Sequence, residues 1–200
     1  LAERVQVKHC ISCANGTDAL VIALMAKDIG PGDAVFVPSF TFMSTAECAS
    51  NVGATPIMCD VDLRTYNMDP ASLEAAIERV KAEGKLRPAA VIPVDLFGQC
   101  ANYPELEAIA KKHGLYLVAD AAQGYGGSIH GQQAGSFGDL AITSFFPAKP
   151  LGCYGDGGAI FTDDDELAAI CRSIRVHGKG DHKYDNVRIG MNSRLDTIQA

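Results

Sequence analysis

Short apolar runs alternate along this chain with segments of helical period, and that alternation restricts the fold more than any other feature. Val7–Cys13, Ala34–Pro38, Thr55–Cys59, Ala89–Val94, Leu115–Ala119, Ala141–Phe145 and Ala159–Thr162 read as strands. Between the first two, Leu20, Ala23 and Leu24 share one helical face, which stops near Gly30-Pro31-Gly32. Thr41 to Asn51 reads as a second helix. Asp69 is placed as an N-cap with Pro70 at the first helical position; Leu73, Ala76, Ile77 and Val80 then form an i, i+3, i+4, i+7 stripe that Gly84 ends. Pro104–His113 is closed by Gly114. Asp163–Val176 carries Asp164, Asp165 and Glu166 in its first turn and Arg172, Arg175 and His177 at its end, as the helix dipole favours. One more helix is expected after Asn192-Ser193-Arg194. Strands apolar on both faces with helical crossovers predict an α/β fold, a mainly parallel sheet flanked by helices. Ligands of such sheets bind beyond the carboxyl ends of the strands.

Composition narrows the function classes. The chain has 200 residues, 48% hydrophobic and 20% charged, which suits one globular domain. Its 17 Lys+Arg against 24 Asp+Glu give a formal net charge of −7, which argues against a nucleic-acid partner. No apolar run approaches the roughly 18 residues of a membrane helix, and no signal-peptide pattern opens the chain. The chain opens on Leu1 and stops at Gln199-Ala200 inside an expected helix, so a piece of a longer protein is expected. Seven cysteines, an odd number set mostly in apolar stretches, suggest reduced thiols in a cytoplasmic protein. Cys10-Ile11-Ser12-Cys13 is a C-x-x-C, but zinc needs a second ligand pair and a redox pair belongs at a helix start. Lying in a strand, these read as two core thiols, and no metal site is expected.

The candidate chemical residues fall where strands end. Asn15-Gly16-Thr17-Asp18 joins a strand to a helix, so Gly16 permits close approach and free amides favour an anion. Taken alone it reads rather as a cap with a turn glycine. No G-x-G-x-x-G follows, so a dinucleotide site is not supported, and the cluster Gly152, Gly155, Gly157, Gly158 lacks a P-loop ending and carries Asp156. Asp120 closes an apolar strand, where it either serves a ligand or caps a following helix. In Ser144-Phe145-Phe146-Pro147-Ala148-Lys149 the lysine is either an exposed loop residue or, if desolvated, a nucleophilic amine, and Ser144 could place a hydroxyl on a phosphate. A phosphate nest, a carboxylate for a pyridinium nitrogen and an amine that condenses with an aldehyde together fit pyridoxal phosphate.

These runs closely resemble the DegT/DnrJ/StrS family of nucleotide-sugar aminotransferases. The resemblance adds Pro38-Ser39-Phe40-Thr41-Phe42, Gly155-Asp156-Gly157-Gly158-Ala159 and Gly190-Met191-Asn192-Ser193-Arg194-Leu195-Asp196, in family order along nearly the whole chain. It implies the fold type I aminotransferase large domain in a homodimer, with residues 1–200 its central part and the N-terminal segment and C-terminal small domain outside this chain. It further implies that Lys149 carries the cofactor, Asp120 pairs with the ring nitrogen, Gln123 bonds the ring hydroxyl and Phe42 stacks on the ring. Gly16, Thr17, Ser144 and the Asp18 amide would hold the phosphate. Asn192 would reach the neighbouring subunit's phosphate, and Arg194 its substrate. Pro150 departs from the Asn that many members carry after the lysine. Cys10 to Leu20 and Lys149 to Asp156 are most similar to enzymes that aminate UDP-2-acetamido-3-oxo-glucuronate with glutamate, for surface polysaccharide. Deoxygenating dehydratases of the same family carry His at the lysine position, which Lys149 argues against, and a non-catalytic binding or regulatory homologue would not need Lys149, Asp120 and Gln123 together.

Overall fold

The computed structural model describes residues 1–182 and 184–200. In chain order the elements are α1 (Ala2–Val5), β1 (His9–Cys13), α2 (Gly16–Met25), β2 (Asp33–Pro38), α3 (Ser44–Asn51), β3 (Thr55–Cys59), α4 (Pro70–Glu83) and β4 (Arg87–Val91). After a 3-10 turn at Leu96–Gly98 come α5 (Tyr103–His113), β5 (Tyr116–Asp120), a small ribbon of β6 (Ser128–Ile129) and β7 (Gln132–Gln133), β8 (Leu140–Ser144), β9 (Gly158–Thr162) and α6 (Asp165–Ile174).

Seven strands form one sheet in the order β1-β9-β8-β5-β4-β2-β3. Pairings from β3 through β8 are parallel, while β9 runs antiparallel to both β8 and β1. The predicted α/β architecture is therefore what forms, with one reversed strand. Helices α2, α3 and α6 cover one face around Leu20, Leu24, Cys48 and Leu167. Helices α4 and α5 cover the other around Leu73, Ile77 and Leu106. The stripe Leu73, Ala76, Ile77, Val80 is the buried face of α4, and Asp69 accepts from the Ala71 amide at 3.0 Å, capping it as the sequence suggests. Gly84 and Gly114 end α4 and α5 in the left-handed region that glycine adopts freely. At α6, Asp164 accepts from the amides of Glu166 and Leu167.

Two expectations are corrected. The segment after Arg194 is not helical: Gln199 and Ala200 donate to Asp196 in a single turn. Pro93 lies in the run Ala89–Val94 and has no amide to donate to a sheet ladder. β4 accordingly ends at Val91, and Val94 rejoins β5 only as an isolated bridge to Asp120.

Candidate functional site

A cavity of about 870 Å³ opens at the carboxyl ends of β5 and β8 and the start of α2. Its wall contains Gly16, Thr17, Asp18, Phe42, Asp120, Gln123, Ser144 and Lys149, eight residues singled out from the sequence. They are far apart in the chain, and sheet order is what joins them. Strand β8 lies beside β5 with Asp120 opposite Ile142, so Ser144 ends one strand away from Asp120.

Asp120 is 5% exposed. Its Oδ1 accepts from the Ala122 amide at 3.0 Å, and no hydrogen bond to Oδ2 is made among the described residues. Residues after Asp120 form turns, not a helix, so the helix-cap reading fails. Burial pushes its carboxyl up to about 6 against the pull of the Ala122 amide and the Lys149 charge. Such a group is short of positive charge. Lys149 is half-buried on the loop between β8 and β9, its amide donating to Phe146 C=O at 2.8 Å.

The anion end is built by close packing. At Gly16 a Cβ would lie 2.8 Å from Ser144 Cβ, so only glycine lets the start of α2 sit against Ser144. At Gly158 a Cβ would come within 2.7 Å of the Asn15 carbonyl. The glycine cluster thus seats β9 beneath the Asn15–Gly16 turn. Asn15 caps α2: its side chain accepts from the Asp18 amide at 2.7 Å. The Asp18 amide, expected to face a phosphate, is engaged by that cap here. The amides of Gly16 and Thr17 have no partner within the helix. Ser144 Oγ accepts from the Phe146 amide at 3.2 Å, which leaves its proton free to be donated. Phe42 is 67% exposed on the cavity wall.

Gln123 Oε1 accepts from the Phe97 amide at 3.0 Å, so its two amide hydrogens remain available. Sequence reasoning missed Phe97, Gly98, Thr41 and Asp156 as wall residues. Nothing in the sequence near Phe97 marks it, because Gln123 selects it through space.

Asn192 and Arg194 are exposed and lie outside the cavity wall. Ser193 between them is fully buried, and its hydroxyl accepts from the Ala14 amide at 3.1 Å. That bond fastens their segment to the turn before α2 and points both neighbours outward. Cys10 and Cys13 are free thiols in β1 that pack on opposite faces of the sheet, as an odd separation in a strand requires. Burial pushes Cys13 up to about 12 and raises Cys10. The two cannot grip one metal ion from opposite faces, as the core-thiol reading expects.

The DegT/DnrJ/EryC1/StrS aminotransferase family matches residues 1–200. The chain is 54% identical over 200 residues to the UDP-2-acetamido-2-deoxy-3-oxo-D-glucuronate aminotransferase of Pseudomonas aeruginosa, covering 100% of this chain and 54% of that protein. Its fold superposes on a DegT DnrJ EryC1 StrS aminotransferase from Brucella abortus with TM-score 0.98 and 58% identity, covering 99% of this chain and 53% of that one. It also superposes on ntda from Bacillus subtilis with bound cofactor pmp, with TM-score 0.88 and 32% identity, covering 99% and 43%. The chain spans about half the length of the curated relatives it matches. Cavity, sheet order and sequence agree, and the chain belongs to the DegT/DnrJ/EryC1/StrS aminotransferase family.

Proposed function

We propose that the full-length protein is a pyridoxal-phosphate-dependent aminotransferase that moves an amino group from an amino acid to a keto group of a nucleotide-linked sugar. One observation carries this reading: Lys149, the cation-poor carboxylate of Asp120 and the open helix start at Gly16–Thr17 meet in one cavity. The residues fit the cofactor, since Asp120 Oδ2 accepts no hydrogen bond among the described residues and the bare backbone of Gly16 brings the open start of α2 against Ser144. When bound, the cofactor supplies an aldehyde that condenses with amines and a ring that accepts electron density.

Lys149 Nζ would hold the cofactor and, when free, would move the proton from the α-carbon of the amino donor. Asp120 Oδ2 keeps a proton on the ring nitrogen. Gln123 donates to the ring hydroxyl, and Phe42 covers one ring face. Thr17 and Ser144 would donate hydroxyl hydrogens to the phosphate beside the Gly16 and Thr17 amides, with the Asp18 amide held next to them by the Asn15 cap. For the sugar we propose UDP-2-acetamido-3-oxo-glucuronate, with glutamate as donor, in surface polysaccharide synthesis; the 54% identity to the Pseudomonas enzyme supports it. We further propose a homodimer in which Asn192 and Arg194 complete the partner's site, which their outward placement supports.

The test is an assay of the full-length protein in reverse, with candidate UDP-amino sugars and 2-oxoglutarate, alongside a visible cofactor band reducible by borohydride. Lys149→Ala removes the band and the activity but leaves the fold intact. Turnover near that of the wild type in this variant refutes the assignment.

A further inference from the structure

Asp95 follows the carboxyl end of β4, the strand beside β5, and is completely buried. Its Oδ1 accepts from the Ala101 amide at 2.9 Å and from the Tyr103 hydroxyl at 2.8 Å. Tyr103 is itself fully buried and stacks on Phe137 at 4.2 Å with the rings 6° apart, so this donor cannot swing away. Asp95 Oδ2 has no hydrogen-bond partner among the described residues and abuts Gly124, where a Cβ would stand 2.7 Å from it.

The main chain links this side chain to the cavity. The Asp95 amide donates to Asp120 C=O and the Asp120 amide to Pro93 C=O, both at 2.9 Å. Two residues on, the Phe97 amide holds Gln123 Oε1, and Phe97 does so at φ 57, a left-handed conformation unfavourable for a phenylalanine. A strained residue persists only where its surroundings fix it. Here Asp95 ties the turn to Ala101 and Tyr103. From the other side Asn67, 4% exposed, accepts from the Leu96 amide and donates to Gln99 C=O and Cys100 C=O. Without the Asp95 acceptor, the Ala101 amide and Tyr103 hydroxyl lose their partner, and Phe97 is free to relax toward negative φ. That movement carries its amide away from Gln123.

We propose that Asp95 is a positioning residue for Asp120 and Gln123, acting through the turn from Val94 to Ala101. The inference rests on the reading of Asp120 and Gln123 as the ring-binding pair. Geometry, not charge, is its means: burial, with Asp120 nearby, pushes the Asp95 carboxyl up to about 7 against the pull of the Ala101 amide and Tyr103 hydroxyl, so below neutrality it is mostly uncharged. Cys100 and Tyr103, the other titratable groups beside it, are neutral in that range, both raised by burial.

The full-length protein is stripped of cofactor and titrated with pyridoxal phosphate at pH 6.5 or so, and kcat and KM for the amino donor are measured separately. Asp95→Ala weakens cofactor binding about tenfold or more and lowers kcat, the factor that one to two lost buried hydrogen bonds imply. Asp95→Asn keeps the Oδ1 acceptor and sets an amide nitrogen in place of the unpartnered oxygen, so it restores binding to within about threefold of the wild type. Asp95→Ala with unchanged cofactor affinity overturns the proposal, and so does Asp95→Asn as weak as Asp95→Ala, which would assign the effect to charge. Should Asp95→Ala not fold, Tyr103→Phe removes one donor and keeps the ring stack; its cofactor affinity falls about threefold, and no change overturns the proposal. Gln123→Ala is the separate control: if it binds cofactor as the wild type does, the ring-binding reading fails; if it weakens binding while Asp95→Ala does not, only this inference fails.

Discussion

Asp120→Asn makes the cofactor-free protein more stable and removes most of the activity of the cofactor-bound one. The amide keeps the shape of the carboxylate and the bond from the Ala122 amide at 3.0 Å. What it removes is a buried charge. Asp120 is raised from 3.8 to about 6, chiefly by burial, and each unit is worth about 1.4 kcal/mol. Below pH 3.8 the acid is neutral in both folded and unfolded chains, so the wild type and the variant are alike. Between pH 3.8 and about 6 the unfolded chain ionises and the folded chain does not, so the wild type loses stability relative to the variant as pH rises. Above about 6 the folded form is also ionised, and the difference levels off near 3 kcal/mol, an upper figure. Urea unfolding of the cofactor-free full-length protein, wild type against variant, at several pH values from 4.5 to 8 or so, measures this. A variant no more stable than the wild type at pH 8, or a gap that does not grow between pH 4.5 and 6, refutes the desolvation argument. Pyridoxal phosphate should then reverse the order, because only the carboxylate gains from a ring cation.

Gly16→Ala places a methyl group 2.8 Å from Ser144 Cβ, so it should destabilise by about 1–3 kcal/mol and weaken cofactor binding, read by calorimetry and by titration; unchanged binding removes Gly16 from the phosphate nest. Cys13→Ser should lower stability by about 1–3 kcal/mol, more than Cys10→Ser, since Cys13 is fully buried, and neither should alter the cofactor spectrum. Stoichiometric zinc lost from those variants would overturn the core-thiol reading. Mixing Lys149→Ala with Arg194→Ala full-length chains should restore activity after subunit exchange, because one site of the mixed dimer carries both defects and the other neither. No rescue with exchange confirmed rejects shared sites.

The parts of this fold legible in the sequence are those fixed by local chemistry. The cap at Asp69, the stripe from Leu73 to Val80 and the stop at Gly84 each depend on neighbours within a turn or two. The cavity residues were legible because motifs at strand ends converge wherever the sheet is parallel. Asp95 obeys the same rule as Asp120, a carboxylate just past the apolar run Ala89–Val94, yet no motif around it marks it, because its partners Ala101 and Tyr103 are brought to it by an irregular turn. Phe97 and Ser193 were not legible at all. Their roles come from partners 26 and 179 positions away, Gln123 and Ala14, and no local pattern encodes such pairs.

The reversed strand β9 has a mechanical consequence. Because it runs back alongside β8, Ser144 and Gly158 are paired across the ladder, and the Lys149 loop leaves and re-enters the sheet at one point. Bonds from the Phe145 amide to Gly157 C=O and from the Cys153 amide to Phe145 C=O tighten its neck. The lysine is therefore borne on a closed handle, not on a crossover that spans the sheet. Such a handle sets the reach of Nζ from a single point of the sheet, while its glycines hold it against the turn before α2. A crossover bearing the same lysine would drag its neighbouring strands with every insertion. The approach of the amine to its target is accordingly set within one loop, closed between Ser144 and Gly158, and not by the spacing of two distant strands.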